Sequence, residues 1–212
     1  MIRRGDTLVI ATRNAGKTKE FREAFGALGI EVKDLRDVEG VPDIEETGTT
    51  FADNAWIKAK AVADIVRLPV LADDSGLCVD ALGGAPGVYS ARYSGEGATD
   101  AKNNAKLLRE LAAIGASAVM PGGGPDALST ARFVCSLALY DPADESATKA
   151  EGASEGYILT EARGEGGFGY DPLFWVPAHG KSMAELTVAE KNAISHRGDA
   201  LRKLIGMLMA GK

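Results

Sequence analysis

The 212-residue chain reads as an α/β protein with a mixed sheet in one continuous unit. Three observations predict this. Short apolar runs suited to strands are interspersed with stretches whose apolar residues recur at helical spacing. Strict strand–helix–strand alternation breaks down late in the chain, where one strand-like segment follows another directly. No internal repeat or linker interrupts the order.

Leu8 to Ala11 is the first strand, and Phe21, Ala24, Phe25 and Leu28 follow on one helical face, with Gly29 as the C-cap. "IEVKDL" (30–35) alternates as a second strand and leads into an acidic loop, "DVEGVPDIEETG". Thr50 and Asp53 have the spacing of a capping pair ahead of a helix over 51–66, which Pro69 separates from a short strand, "VLA", at 70–72. The segment "DDSGLCVDALGGAPG" then sets a carboxylate pair inside turn chemistry. A helix over 99–113 precedes "GASAVMPGGGPDALS", a mobile or variable excursion. "ARFVCSLALY" (131–140) and 150–160 form an antiparallel pair across the "DPADES" turn. "GEGGFGYDPLFWVP" is a glycine-rich loop feeding an apolar strand. Thr187 and Glu190 make a capping box, and a last helix carries Ala200, Leu201, Leu204, Ile205 and Leu208 on one stripe.

Composition narrows the function classes. Thirty acidic against 24 basic residues give a net charge of −6 with no long basic run, which argues against nucleic acid as partner and leaves room for a small anionic ligand. Cys78 and Cys135 stand apart with no CxxC, so neither a disulfide framework nor a zinc site is indicated, and a reducing cytoplasm is the expected location. No run approaches a membrane span, and the apolar stretch in "MIRRGDTLVIATRN" is too short for a signal peptide. Glycine is in excess, 26 of 212, against about 7% on average.

Four stretches carry candidate chemistry. "LVIATRNAGKT" (8–18) approaches the P-loop pattern, with Gly16, Lys17 and Thr18 in place but Ala11 where the first glycine belongs. A strand, a polar turn and a helix start make an anion site to which Lys17 adds a full charge; an ordinary strand-to-helix turn is the alternative. Asp73 and Asp74 sit at the end of the apolar run before Ser75 and Gly76, and reach one site only if the chain bends between them. Such a pair suits Mg²⁺, or else merely forms an exposed turn; Glu45 and Glu46 supply further carboxylates. The Phe of "GGFGYDP" (166–172) either stacks a base or plugs the core. Ser195 as an N-cap puts His196 and Arg197 in a first helical turn that disfavours cations, which invites a donor role beside Lys191 or a salt bridge to a neighbouring loop.

These pieces, in this order, resemble the inosine triphosphate pyrophosphatase family of dITP/XTP pyrophosphatases. "ATRNAGKTKEF" is similar to its phosphate motif, "EETGTTFADNAWIKA" to its acidic loop and helix, and "LADDSGLCVDALGGAPGVYSARYSG" to its longest signature; "GGFGYDPLFWVP" and "AELTVAEKNAISHRGDAL" complete the set from about residue 7 to 205. The family's phosphate turn is not a Walker loop, so Ala11 is no defect. Arg13, where glycine is frequent, and a longer excursion at 115–128 are the departures.

The resemblance implies an elongated mixed central sheet flanked by helices, two lobes with a nucleotide cleft between them, and a single pyrophosphatase domain over residues 1–212. It implies Mg²⁺-dependent cleavage of ITP, dITP and XTP between the α and β phosphates, cleansing the nucleotide pool, by a cytoplasmic homodimer. Thr12, Arg13, Asn14, Ala15, Gly16 and Lys17 would hold the triphosphate, with Lys17 absorbing charge on the leaving pyrophosphate. Glu46 and Asp74 would bind Mg²⁺, Asp74 would accept the proton with Asp73 as helper, and Ser75 would touch substrate. Asn54 and Lys58 would face the same cleft; Phe168, Gly169, Tyr170 and Asp171 would cover and stack the base; Lys191, His196 and Arg197 would bond its edge. Those donors suit a 6-oxo acceptor and repel the amino group of adenine. A P-loop kinase would need a glycine at 11 and an arginine-rich lid; a nucleotide sensor would grip phosphate without turnover.

Overall fold

The computed structural model describes residues 2–210. Seven strands form one sheet: β1 (Thr7–Ile10), β2 (Glu31–Asp34), β3 (Val70–Val79), β4 (Ala127–Asp141), β5 (Ser146–Leu159), β6 (Phe174–Val176) and β7 (Lys181–Ser182), in the order β2-β1-β3-β4-β5-β6-β7. β1 runs parallel to β2 and β3, whereas β6 is antiparallel to β5 and β7, so the sheet is mixed as expected. The helices are α1 (Ala15–Gly26), α2 (Phe51–Val66), α3 (Asp100–Ala113), α4 (Val188–Ile194) and α5 (His196–Ala210). No helix among the described residues is long and apolar enough to cross a membrane.

The chain forms two compact units, each assembled from separated stretches: Met1–Asp74, Ser136–Glu151 and Ala200–Lys212 in the first, Ser75–Cys135 and Gly152–Asp199 in the second. In the first, α2 lays the small residues Ala55, Ala59 and Ala63, with Val62, against Val9, Val70 and Ala72. Small side chains at this spacing let helix and sheet approach closely. Trp56 meets the ring of Tyr140 edge-on, 5.4 Å between centroids. Phe21 and Phe25 of α1 are fully buried. Gly29 does terminate α1, at φ +74°, but after a tightened turn in which Ile30 N–H donates to Phe25 O; the regular helix already ends at Gly26.

In the second unit Leu107 and Leu111 of α3 pack with Leu77, Val79, Phe133, Ile158, Leu173 and Phe174. The excursion over 115–126 is pinned: Ala118 bridges to Ala127, and Met120 is buried with Leu159 and Trp175.

Three strands exceed the expected lengths. β5 starts at Ser146 rather than at 150. β4 starts at Ala127 and is buried at every position from Phe133 on, so its sequence shows an apolar run rather than a clean alternation. β3 does not stop at Ala72 but continues through Asp73, Asp74, Ser75 and Gly76 to Val79. The expected bend at Ser-Gly does not end the strand: β1 accompanies β3 only at Val70 and Leu71, and beyond that β3 continues extended next to the long β4.

Candidate active site

The turn after β1 is organised by Asn14. Its Oδ1 accepts the N–H groups of Gly16 and Lys17 at 2.9 and 3.1 Å, capping α1, while its own N–H donates to Thr12 Oγ1 at 3.1 Å. Two first-turn N–H groups are therefore committed to the cap rather than offered as a P-loop nest, and the strongest cationic group of the turn is the Lys17 ammonium. Inside the same turn Thr18 donates to the buried Asp34 carboxylate at 2.6 Å, tying the start of α1 to the end of β2. Hydrogen bonds from the Arg36 guanidinium foremost, with Thr18 assisting, hold Asp34 well below the usual carboxylate range, at about 2.

On β3 the consecutive Asp73 and Asp74 each meet a side chain of a different helix. Asp73, 2% exposed, pairs with Lys17 Nζ of α1 at 2.8 Å. Asp74 Oδ2 accepts from Asn54 Nδ2 of α2 at 3.0 Å, and Asn54 Oδ1 in turn accepts the Gly48 N–H at 2.8 Å. One turn on from Asn54, Lys58 Nζ donates to Glu46 Oε1 and to the Asp73 carbonyl, both at 2.7 Å. The acidic loop is thus latched to α2 at Glu46 and Gly48, and Glu46 lies beside the Asp73–Asp74 peptide. Ser75 follows on β3, half-buried.

Arg13 neither enters the phosphate turn nor points freely to solvent. Its guanidinium pairs with Asp43 at 2.7 Å and donates to Val41 O at 2.8 Å. A cavity of about 430 Å³ opens here, with Thr12, Arg13, Asp43, Ile44, Glu46 and Lys58 among its lining residues.

The donor set is all hard oxygen, which suits a divalent cation such as Mg²⁺. Among the described residues no three His, Cys, Asp or Glu side chains converge into an all-protein cage. Mg²⁺ needs none, since one or two carboxylates together with substrate phosphates and water satisfy it.

In the second unit the glycine-rich loop presents Phe168, 74% exposed, while turning its neighbours inward. Tyr170 is buried in the core and donates to Ser90 O at 2.8 Å, and burial pushes its phenol pKa up. Asp171, also buried, accepts from the Phe168 N–H at 3.1 Å and pairs with Lys191 Nζ at 2.6 Å. Lys191 Nζ sits 5.6 Å from the Phe168 ring centroid. His196 stacks on Phe133 at 5.3 Å, and Arg197 is buried. Ser195 Oγ accepts from Gly198 N–H, starting α5 as expected; the Thr187–Glu190 capping box belongs to the separate helix α4.

Several residues that build these features were not singled out by sequence reasoning. Gly48 is one: a Cβ there would lie 2.7 Å from Asn54 Oδ1 and 2.6 Å from Asp53 Cβ. Gly167 is another, at φ +77° with Asp171 Oδ2 only 2.2 Å from where a Cβ would stand. Asp100 and Asn104 of α3 bind Gly169 on its N–H and its C=O, at 2.7 and 2.9 Å. The adjacent asparagines 103 and 104 inside a helix were the available signal, since Asn is a poor helix former.

A dITP/XTP pyrophosphatase of Geobacillus kaustophilus is 54% identical over 197 residues, spanning 93% of this chain and 91% of that protein. Another, from Halalkalibacterium halodurans, is 53% identical over 92% of this chain and 95% of its own. The solved structure of a HAM1 protein from Coxiella burnetii matches with a TM-score of 0.85 at 43% identity, over 96% of this chain and 98% of that one. The Ham1 family model matches residues 8–207, a span that includes the phosphate turn, the carboxylate pair and the aromatic loop, and the chain belongs to the Ham1 family.

Proposed function

We propose that this chain hydrolyses noncanonical purine nucleoside triphosphates, ITP, dITP and XTP, to the monophosphate and pyrophosphate, and so clears deaminated purines from the nucleotide pool. Its relatives' shared activity supports the reaction class. The observation that carries the reading is the pair of consecutive buried carboxylates on β3, Asp73 held by a lysine and Asp74 by an asparagine.

Thr12, Asn14 and Lys17 take the triphosphate, and Lys17, already charge-paired by Asp73, stabilises the departing pyrophosphate. Asp74 accepts the proton of the attacking water; Asn54, fixed at its other end by Gly48, holds that carboxylate in one orientation. Glu46 and Asp74 are the residues that would hold Mg²⁺, whose chemistry is to neutralise phosphate charge and acidify nearby water. Phe168 stacks the base, and Lys191, His196 and Arg197 favour a 6-oxo edge over an amino group. Tyr170 and Asp171 shape the loop from within.

The two units together constitute one catalytic domain. The enzyme works in the cytoplasm, in keeping with two thiols rather than a disulfide, and as a homodimer, for which the 59% exposed Tyr89 in "APGVYSARY" is a contact. Light scattering on the purified protein tests the dimer. The function is tested by incubating the protein with Mg²⁺ and ITP, XTP, dITP, GTP or ATP, and measuring pyrophosphate and orthophosphate separately. Pyrophosphate from ITP and XTP, with little from ATP or GTP, is the expected result; orthophosphate alone, or binding without product, overturns the proposal.

A further inference from the structure

Gly169, next to the exposed Phe168, is gripped on both its peptide groups by one turn of α3. Its N–H donates to Asp100 Oδ2 at 2.7 Å, and its C=O accepts from Asn104 Nδ2 at 2.9 Å. On the other side Phe168 N–H is held by Asp171, and beyond Gly169 the Tyr170 hydroxyl is anchored to Ser90 O. The backbone of the aromatic loop is therefore fixed residue by residue, while the Phe168 ring stays 74% exposed.

The stability of α3 does not account for Asn104. Asparagine is disfavoured inside a helix. Its Oδ1 is buried and accepts no hydrogen bond from any described residue, an arrangement an apolar side chain of similar size would avoid. What asparagine supplies and leucine cannot is the donor to Gly169 O. The adjacent Asn103 is different: it is 3% exposed, its Nδ2 donates to Ser90 O and Ala91 O, and its Oδ1 accepts from Ser94 N–H, so it serves the packing of that region.

We infer that Asn104, assisted by Asp100, is a positioning residue for base recognition: it sets the Gly169 peptide and thereby the direction in which Phe168 presents its ring. This rests on Phe168 stacking the purine, as proposed above. An isolated exposed phenylalanine on a loose loop would lose part of its stacking energy to ordering, and a preset backbone removes that loss.

The test uses the full chain with Asn104→Leu, Phe168→Ala and the double variant, reading ITP hydrolysis, thermal midpoint and hydrogen exchange across 164–171. Asn104→Leu is expected to keep the midpoint, to speed exchange in the loop, and to raise KM for ITP about tenfold, the low end for one lost base stack, with kcat changing less. On the Phe168→Ala background it adds no further rise in KM. Unchanged exchange in Asn104→Leu, or a KM effect that persists in full without Phe168, overturns the inference. A normal KM in Phe168→Ala alone defeats the stacking reading instead, and the exchange result then decides the placement role of Asn104 by itself. Asp100→Ala, at an exposed position, repeats both readouts if Asn104→Leu does not fold.

Discussion

The two units handle polar chemistry in opposite ways. In the first, two buried carboxylates on β3, the buried Asn54 and half-buried charged groups on two helices and the acidic loop are cross-linked: Lys17 to Asp73, Asn54 to Asp74 and Gly48, Lys58 to Glu46 and the Asp73 carbonyl. In the second, one glycine-rich loop keeps its acid and tyrosine inside and displays a single aromatic ring. The difference follows from the work each is assigned. Groups that meet developing charge gain from rigid placement in a water-poor setting, because reorganisation at the moment of reaction is avoided. Recognition of a flat base needs one well-aimed surface and a few donors.

The comparison breaks most sharply at Asp74. Asp74→Asn keeps volume and can still accept from Asn54, so the thermal midpoint should hold while pyrophosphate release from ITP falls about a thousandfold. Near-normal turnover in this variant would remove Asp74 as proton acceptor. Lys17→Met should lower kcat/KM about a hundredfold and also destabilise the fold by up to about 3 kcal/mol, because Asp73 loses its cation. Adding Asp73→Asn should restore stability in urea titrations without restoring activity; recovery of both would make the pair purely structural.

The second unit should respond in selectivity rather than in chemistry. His196→Ala is expected to shrink the ITP over ATP preference about tenfold with the Mg²⁺ requirement unaltered, and an unchanged ratio in competition assays counts against a donor role. The smallest effect on neutral-pH turnover is expected at Asp34. Its folded pKa lies near 2, below the ordinary carboxylate value, so its contribution is fully present above about pH 4 and is lost as pH falls through about 2. That contribution is roughly 2 kcal/mol. Urea midpoints of Asp34→Asn should therefore lie below the parent's at pH 7 and converge on them toward pH 2; a constant gap would show that ionisation of Asp34 is not what ties α1 to β2.

Much of the fold was legible because its signals are local. The capped helix at Phe51–Val66 announces itself through apolar spacing and Thr50, and the strand–turn–helix at Thr7–Gly26 through apolar spacing, while the Asn14 cap shows only in the structure. The path of β3 was not legible. Ser75 and Gly76 are turn formers taken alone, yet they lie within β3, beyond its pairing with β1 and next to β4. What the strand's path decides is which helix each carboxylate meets: Asp73 pairs with Lys17 of α1, and Asp74 accepts from Asn54 of α2.

From residue types, their order and the family they resemble came the inventory: Lys17, Lys58 and Lys191, Asn14 and Asn54, the carboxylates of the acidic loop and of the Asp73–Asp74 pair, and one loop of glycines around a phenylalanine. Which of them meet was decided by tertiary structure. Lys58 reaches Glu46 across 12 positions of sequence, Lys191 reaches Asp171 across 20, and Asn104 reaches Gly169 across 65. Propensity and periodicity act over a turn or a strand, whereas these contacts exist only once distant elements have packed, and it is packing that separates the displayed Phe168 from the buried Tyr170 two residues on.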